Sequence, residues 1–423
     1  MTWDPPARPE WVQAVNAGAI LPIAEVAELP LARDPLLAEA RATLGIADGG
    51  MADFGVDDFL EPLDVLLPAL EHEAALTVIG RWMTRRFLLR FLEVRLQLAE
   101  YVRRDPGVVD EEIRAPWFVT GAPRTGTTIL HAMLAQDPAS RVPEGWELLR
   151  PVPPPSPDPD DFAADPRIPL ADRELRLPGQ VAGELDAIHV YRGRMHKECL
   201  SAMSFAFRSE EFTARYHVPS YVEWYKRCDL RPAYDMHRLV LQVLQRRSRN
   251  VHWVLKSPVH VSALPTLLAV YPDARLAITH RDPLTVLASL TSLVATLRWA
   301  HSDRVDFAEI GRYHDDLWTT ALEDLTTAAT DGTLDPARVH HVHYADFVQD
   351  QVGVIEELYR ALGTSLAPET ADAMRAYLAG RPKDQHGKHE YSFADLALDP
   401  VVERQRFARY QRHFSVPEEL IVS

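Results

Sequence analysis

One segment near residue 120 constrains the fold more than any other part of the chain. An apolar run at residues 117–120 is followed by the loop 121–128, with sequence GAPRTGTT, and then by an apolar helical stretch at 129–136. A buried strand, a glycine-containing loop and a helix in this order point backbone N–H groups and a helix N-terminus at an anion. The segment therefore predicts a phosphate-binding loop.

Three further apolar runs have the pattern of buried parallel strands. Residues 252–255, 275–279 and 339–343 are short, apolar and separated by helical patterns, as the crossovers of a parallel sheet require. The predicted fold class is therefore α/β: a P-loop-like, three-layer fold with a central parallel sheet and helices on both faces. The carboxyl ends of such strands face one crevice, where ligands bind.

The rest of the chain is predicted to be mostly helical. Residues 1–110 form a helical N-terminal region packed on the core, in which residues 74–100 carry long aliphatic side chains at helical spacing. Residues 111–423 form the α/β domain, with a helical insertion at about 193–249. The aromatic side chains of this insertion either pack its helices on the sheet or line a pocket for a small molecule. They include Phe205, Phe207, Tyr221, Trp224 and Tyr225.

Composition limits the kinds of binding partner and the cellular compartment that we expect for this protein. The 423 residues carry a formal charge of −16, which disfavours nucleic acid and other polyanions over most of the surface. Two cysteines, Cys199 and Cys228, are too few for a disulfide framework or a zinc cluster and fit a reducing cytoplasm. No apolar run reaches about 18 residues, and the N-terminus lacks the pattern of a secretory signal. We therefore expect a cytoplasmic protein with no membrane span and no nucleic-acid partner.

The phosphate-binding loop departs from that of nucleoside triphosphatases at one position. Its Gly121-x4-Gly126 spacing matches, but Thr127 stands where a Walker loop has lysine. Transfer of a γ-phosphoryl group relies on that lysine and on Mg²⁺. A sulfuryl group carries less charge, so hydroxyls and one arginine suffice for it without a metal. The residues expected to hold a 5′-phosphosulfate are Arg124, Thr125, Gly126, Thr127 and Thr128.

The second strand ends on a lysine. Residues 252–255 are followed by Lys256, with His260 four residues beyond it. A lysine at the carboxyl end of a central strand faces the same crevice as the phosphate-binding loop. There it is placed to stabilise the oxygen of a departing phosphate. A lysine whose stem packs at the strand end and whose ammonium reaches water is the alternative.

The third strand ends on an arginine and a helix start. Residues 275–279 are followed by Arg281, and then by Asp282 and Pro283, which predict a helix with aspartate as its N-cap. Ser289 lies about two turns into that helix. We therefore expect Arg281 and Ser289 to bind one anionic group.

These motifs resemble those of the sulfotransferases that use 3′-phosphoadenosine-5′-phosphosulfate (PAPS). They are most similar to those of the bacterial members and are related to the motifs of the tyrosylprotein sulfotransferases. The resemblance runs from about residue 117 to 399. Residues 123–128 are similar to the family's 5′-phosphosulfate loop, and residues 281–289 to its 3′-phosphate motif. Lys256 stands where such sequences often carry an active-site lysine. The resemblance implies PAPS as co-substrate and in-line sulfuryl transfer, without metal, to a hydroxyl or amine of a small acceptor.

The resemblance also implies contacts to the nucleotide from later in the chain. Family members often fold a basic, glycine-containing loop over the 3′-phosphate near the C-terminus, and this chain offers Gly387, Lys388 and His389 there. Tyr344, which follows the strand at 339–343, is expected to approach the adenine. A solvated turn and a packing tyrosine are the respective alternatives.

Transfer to an oxygen also needs a group that accepts the acceptor's proton. Glu144 and Glu147 follow the helix after the phosphate-binding loop, and similar sulfotransferases use a glutamate in this region, or a histidine, as base. We predict Glu147 as the base, with Glu144 as its rival and with His260 and His196 as further candidates.

Two other classes of protein stay open. A P-loop kinase or nucleoside triphosphatase would use Mg²⁺, but Thr127 replaces its lysine, and Asp282, the nearest candidate for a metal-holding aspartate, is better explained as a helix cap. A catalytically idle protein would bind a nucleotide without turning it over. The expected partner is a small-molecule acceptor, for which the aromatic residues favour an apolar alcohol, phenol or lipid-like compound. Assembly into a homo-oligomer is left open.

Overall fold

A computed structural model of the chain describes residues 3–46, 54–183, 185, 191–248, 251–380 and 392–421. Within these ranges the centre of the fold is a parallel sheet of five strands. The strands are β1 (Trp117–Gly121), β2 (Ser140–Arg141), β3 (His252–Lys256), β4 (Arg275–His280) and β5 (Val339–His343).

Helices precede the sheet, connect its strands and follow it. The α-helices before and up to β3 are α1 (Glu10–Asn16), α2 (Leu21–Glu28), α3 (Arg33–Thr43), α4 (Leu60–His72), α5 (Val78–Arg104), α6 (Thr127–Leu134), α7 (Gly145–Leu149), α8 (Pro159–Ala163), α9 (Arg167–Val181), α10 (Leu200–Met203), α11 (Glu210–Arg215), α12 (Pro219–Tyr225) and α13 (Arg231–Gln245). Those after β3 are α14 (Leu264–Val270), α15 (Pro283–Trp299), α16 (Phe307–Thr330), α17 (Tyr344–Gln349), α18 (Gln351–Ala361), α19 (Pro368–Ala379) and α20 (Pro400–His413).

The order of the strands places the phosphate-binding loop at the centre of the sheet. The strand order is β2-β3-β1-β4-β5, so β1 lies between β3 and β4. In the register of the sheet, Val119 is opposite Lys256, and Gly121 is opposite Thr279. The loop after β1 is therefore flanked by the end of β3, which carries Lys256, and by the end of β4, which is followed by Arg281. All four predicted strands are confirmed; β2 was not predicted, because two residues carry no periodic pattern.

Alternate residues of the strands enter two separate apolar cores. Phe118, Leu276 and Ile278 belong to a large core together with side chains of α3, α4, α5, α13, α15 and α16. Val119 and Ala277 belong to a second core with side chains of α6, α18 and α19. Because neighbouring residues of a strand point to opposite faces, helices cover both faces of the sheet. The predicted three-layer α/β fold is confirmed.

The N-terminal helices share the large core with the sheet. Leu88, Phe91 and Leu92 of α5 lie in the same apolar cluster as Phe118. Helix α5 begins four residues later than the pattern suggested because Thr77 caps it, its side-chain oxygen accepting from the Gly80 amide at 3.2 Å. A division of the chain at residue 110 stays a prediction. None of the described helices is long and apolar enough to cross a bilayer.

Aromatic residues of the helical insertion pack in this core. Phe205 and Phe207 are fully buried, with ring centroids 5.6 and 5.9 Å from that of Phe91. Tyr221 is also fully buried, and its hydroxyl donates to the Phe207 carbonyl at 2.8 Å. None of these three side chains lines the cavity beyond the carboxyl ends of the central strands. Of the two alternatives for the aromatic residues, the structure favours packing for Phe205, Phe207 and Tyr221.

Candidate active site

A cavity of about 510 Å³ lies beyond the carboxyl ends of the central strands. We call it the reaction cavity. One side is formed by the loop after β1 and by the ends of the neighbouring elements, and it includes Arg124, Thr127, Thr128, Arg281, Ser289 and Tyr344. The other side is largely apolar and includes Leu200, Leu290, Leu293, Val294, Leu317 and Trp318. Predicted binding residues from separate motifs therefore meet at one cavity.

The loop after β1 requires its two glycines. Gly121 has φ 134°, and a Cβ at this position would lie 2.3 Å from the Thr279 hydroxyl. Gly126 is the N-cap of α6 with φ 90°, and its Cβ would lie 3.2 Å from the Tyr344 ring. Both positions combine a backbone conformation that favours glycine with a close approach of neighbouring atoms.

Thr125 fixes the loop to the neighbouring strand. Its hydroxyl donates to the Ala122 carbonyl at 2.6 Å and lies 2.5 Å from the hydroxyl of Thr279 on β4. The side chain is buried. Because the hydroxyl is engaged within the protein, a contact from Thr125 to a bound anion would come from its backbone.

The two arginines of the predicted motifs are in direct contact. Arg124 Nε donates to Ser289 Oγ at 3.0 Å, and Arg281 Nη1 donates to the Arg124 carbonyl at 3.0 Å. The Arg281 guanidinium also lies 4.1 Å from the centroid of the Tyr344 ring. The residues predicted to hold the 5′ and 3′ ends of the nucleotide thus form one continuous surface.

Asp282 holds the start of α15 in place. It accepts from the Leu284 amide at 3.0 Å, as the predicted N-cap should, with Pro283 at the first helical position. It also accepts from Arg404 Nη2 at 2.7 Å and from the Glu419 amide at 2.6 Å. The predicted cap is confirmed, and this buried carboxylate ties α15 to α20 and to the C-terminal segment.

Glu419 engages the predicted 3′-phosphate residue. Its carboxylate accepts from Arg281 Nε at 2.8 Å and from Arg281 Nη2 at 2.9 Å. Sequence reasoning missed this pair because 138 residues separate its members and no local pattern links them.

Lys256 forms an ion pair with a carboxylate that the sequence did not single out. Its side chain is nearly fully buried, and Nζ donates to Glu198 and, at 3.4 Å, to Thr128 Oγ1. Glu198 lines the reaction cavity together with Arg124. The segment reaches this position because the Cys199 amide donates to the Lys256 carbonyl at 2.9 Å. No strand or helix pattern marks Glu198 in the sequence.

The carboxylates predicted as base lie elsewhere. Glu144 and Glu147 form a reciprocal capping box at the start of α7, in which Glu147 accepts from the Glu144 amide at 2.8 Å. Glu147 is fully buried and ion-paired with Arg141, while Glu144 accepts from the Trp146 indole at 2.8 Å. Neither glutamate lines the reaction cavity. Their spacing of three residues serves a helix start, and their placement does not support a role as base.

The histidine candidates are also engaged in packing. His260 is fully buried, and its Nδ1 lies 2.8 Å from the Tyr234 hydroxyl. Burial lowers the pKa of His260 well below its usual value. The ring of His196 lies 5.9 Å from that of His131. Neither His260 nor His196 lines the reaction cavity.

Part of the predicted site lies outside the described residues. Gly387, Lys388 and His389 belong to residues 381–391, so their contact with the 3′-phosphate stays a prediction. Among the residues that the structure does describe, no group of three or more histidine, cysteine, aspartate or glutamate side chains is arranged to hold a metal ion.

Known proteins identify the class to which this site belongs. The profile of the sulfotransferase family matches residues 116–368, which is more than half of the chain. The chain therefore belongs to the sulfotransferase family, and the protein is a transferase enzyme.

Mycobacterial sulfotransferases are among its relatives. STF1 of Mycobacterium tuberculosis H37Rv is 33% identical, with 89% of this chain and 98% of that chain covered and a TM-score of 0.77. STF9 of Mycobacterium avium is 26% identical, with 94% and 99% covered and a TM-score of 0.79. The omega-hydroxy-beta-dihydromenaquinone-9 sulfotransferase Stf3 of Mycobacterium bovis is 25% identical over 339 residues, or 77% of this chain and 80% of its own length.

Proposed function

We propose that the protein transfers the sulfuryl group of PAPS to a hydroxyl or amine of a small acceptor, by in-line displacement without metal. The observation that carries this proposal is that the loop after β1, the Arg281–Ser289 motif and Glu198, the ion-pair partner of Lys256, all line one cavity. Membership of the sulfotransferase family supports the same reaction class.

The nucleotide side of the cavity suits PAPS. The N-terminus of α6, with Arg124 and the hydroxyls of Thr127 and Thr128 beside it, offers donors for a 5′-phosphosulfate. Arg281 and Ser289 are the proposed ligands of the 3′-phosphate, because both line the cavity and both contact Arg124. The Tyr344 ring provides a surface next to them.

Lys256 and Glu198 are proposed to divide the chemistry between them. Glu198 accepts the proton of the acceptor hydroxyl as the new O–S bond forms. Lys256 stabilises the negative charge on the bridging oxygen as the S–O bond to the nucleotide breaks. Glu198 lines the cavity, and Lys256 is ion-paired with Glu198 and donates to Thr128, a second lining residue. The proposed base is thus Glu198 in place of Glu147 or Glu144.

The other side of the cavity suits an acceptor with an apolar body. Leucine and valine side chains of α15 and Trp318 of α16 form most of this wall. The Stf3 relative, whose name gives an omega-hydroxy compound as its substrate, supports a hydroxyl as the acceptor group.

Calorimetric titration with two matched nucleotides tests the nucleotide site. We expect adenosine 3′,5′-bisphosphate to bind at least about tenfold more tightly than adenosine 5′-monophosphate, because Arg281 is placed to form a charge-assisted hydrogen bond with the extra phosphate. Arg281→Met should remove this preference. Glu419→Gln should strengthen binding of the bisphosphate, because it removes the carboxylate that now engages Arg281.

Glu418→Gln is the matched control for the last variant. Its side chain is 72% exposed and lies 3.7 Å from Arg404 rather than against Arg281. It should leave both affinities unchanged. Equal affinity of the native protein for the two nucleotides would contradict the proposed 3′-phosphate site.

A further inference from the structure

A second, smaller cavity adjoins the acceptor side of the reaction cavity. Its volume is about 90 Å³, and its outer walls come from α5 and α9, including Trp82, Phe87 and Leu175. The two cavities share lining residues, among them Tyr191 and Lys197. No residue of the loop after β1 lines the second cavity, and neither do Arg281 or Ser289. We call it the distal cavity, because it lies away from the nucleotide side.

The distal cavity carries more positive than negative charge. Four of its lining side chains are cationic, namely Arg86, Arg90, Lys197 and Arg215, and two are anionic, namely Glu174 and Glu211. The chain as a whole has a formal charge of −16. An excess of cations in an apolar recess of an acidic protein is therefore a local feature, and it favours an anionic ligand.

Both carboxylates of the distal cavity are already engaged by other groups. Glu211 accepts from Arg215 Nη2 at 2.9 Å and from Ser204 Oγ at 2.9 Å. Glu174 lies 3.2 Å from Arg90 and accepts from Arg150 Nη1 at 3.2 Å. Neither carboxylate lies within ion-pair distance of Lys197, which feels Glu211 only as a nearby charge.

Lys197 is a buried cation of this cavity, and the charges of Glu211 and Glu198 favour its charged form. The residue is 8% exposed and lines both cavities, at their junction. Among the residues that the structure describes, its ammonium contacts the Tyr191 ring, 4.4 Å from the centroid, and forms no hydrogen bond or ion pair. Burial lowers the pKa of Lys197 to about 8, so most of the lysine is still charged at pH 7. A buried ammonium that forms no hydrogen bond is costly, and a ligand carboxylate would provide that hydrogen bond.

We propose that the distal cavity is an anion subsite of the acceptor site, and that Lys197 selects acceptors that carry a carboxylate in addition to the hydroxyl. The inference rests on the proposed function, because it assumes that the acceptor hydroxyl reacts beside Glu198, the residue that follows Lys197 in the chain. Tyr191, Tyr313 and Trp318 line the reaction cavity with aromatic rings. The acceptor class is therefore a hydroxyaryl or similar apolar hydroxy acid.

Binding of a matched ligand series to the bisphosphate-loaded protein tests the inference. The series consists of 4-hydroxyphenyl carboxylic acids with one to three methylene groups, with their methyl esters as uncharged partners. We expect at least one acid to bind at least about tenfold more tightly than its ester. Lys197→Met should remove this preference without weakening ester binding, and Lys197→Arg should keep it. Lys226→Met is the control, because Lys226 is 46% exposed and paired with Glu223.

The result separates this inference from the proposed function. Failure of adenosine 3′,5′-bisphosphate to bind would overturn the proposed function itself. If the bisphosphate binds, the inference is overturned by equal affinity for acid and ester, by an acid preference that persists in Lys197→Met, or by the absence of binding by every acid in the series.

Discussion

The Lys256–Glu198 ion pair is the residue-scale feature on which turnover should depend most. Glu198→Gln should lower kcat by about 10²- to 10⁴-fold, the usual contribution of a general base. Binding of adenosine 3′,5′-bisphosphate should change little, because Glu198 contributes no positive charge to the nucleotide side. Steady-state turnover of PAPS with an accepted hydroxyl compound, together with calorimetry, measures both quantities.

Glu144→Gln provides the matched control for that prediction. Glu144 is also a glutamate, and its carboxylate accepts a hydrogen bond from the buried Trp146 indole at the start of α7. It does not line the reaction cavity. Its kcat should stay within about twofold of the native value. A large loss of kcat in Glu144→Gln, with turnover preserved in Glu198→Gln, would contradict the assignment of the base.

The sequence could predict that residues which directly follow a strand meet at one site. It could not predict which residues of irregular segments join them. Arg124 and Arg281 each follow an apolar strand of a parallel sheet, so their convergence follows from topology. Glu198 reaches Lys256 across 58 residues of sequence, and its own segment has no periodic pattern. The sequence could not distinguish a base from a helix cap at Glu144 and Glu147, because a capping box can use the same carboxylates as acid–base catalysis.

At the scale of elements, the start of α15 is the junction that holds the site together. Asp282 caps this helix, pairs with Arg404 of α20 and accepts from the Glu419 amide, and its side chain is fully buried. Asp282→Ala should lower the free energy of unfolding by roughly 3–5 kcal/mol, because it leaves the Arg404 charge without its buried partner. Urea denaturation measures this loss.

Asp306→Ala is the control for that prediction. Asp306 caps α16 by accepting from the Glu309 amide at 2.9 Å, but it is exposed. Its replacement should cost only about 1 kcal/mol, the usual value of an N-cap. Equal losses in the two variants would show that the contacts of Asp282 beyond its cap contribute nothing to stability.

Element types were predicted more reliably than element ends or side-chain surroundings. Strands β1, β3 and β4 could be recognised because a buried strand is a short apolar run. The start of α5 was misplaced because the capping contact of Thr77 decides it. The aromatic residues of the insertion could be assigned to packing only once the structure showed Phe205 and Phe207 against Phe91.

For the whole molecule, buried histidines predict a loss of stability in acid. Burial lowers the pKa of His237, His301 and His314 to about 3, and that of three further histidines well below the usual value. The unfolded chain, with histidine pKa values near 6.5, therefore binds protons first as the pH falls. The stability from these groups is complete above pH 6.5 and is lost below it. For His237, His301 and His314 the loss is roughly 2 kcal/mol each down to pH 5.

Urea denaturation between pH 5 and pH 8 measures this dependence. His237→Gln should reduce the proton uptake on unfolding by about one at pH 5. Glu210 acts in the opposite direction, since burial and the nearby Glu198 raise its pKa to about 7. Stability that does not decrease between pH 6.5 and pH 5 would contradict the prediction.

Thermal stabilisation tests whether the proposed site binds the PAPS nucleotide without a metal. A ligand at 100 times its Kd stabilises the folded state by about 2.7 kcal/mol, which shifts the melting temperature measurably. We expect adenosine 3′,5′-bisphosphate to raise the melting temperature equally with and without Mg²⁺, and to do so more than ATP. Stabilisation by ATP only in the presence of Mg²⁺, with no shift from the bisphosphate, would contradict the proposed PAPS site.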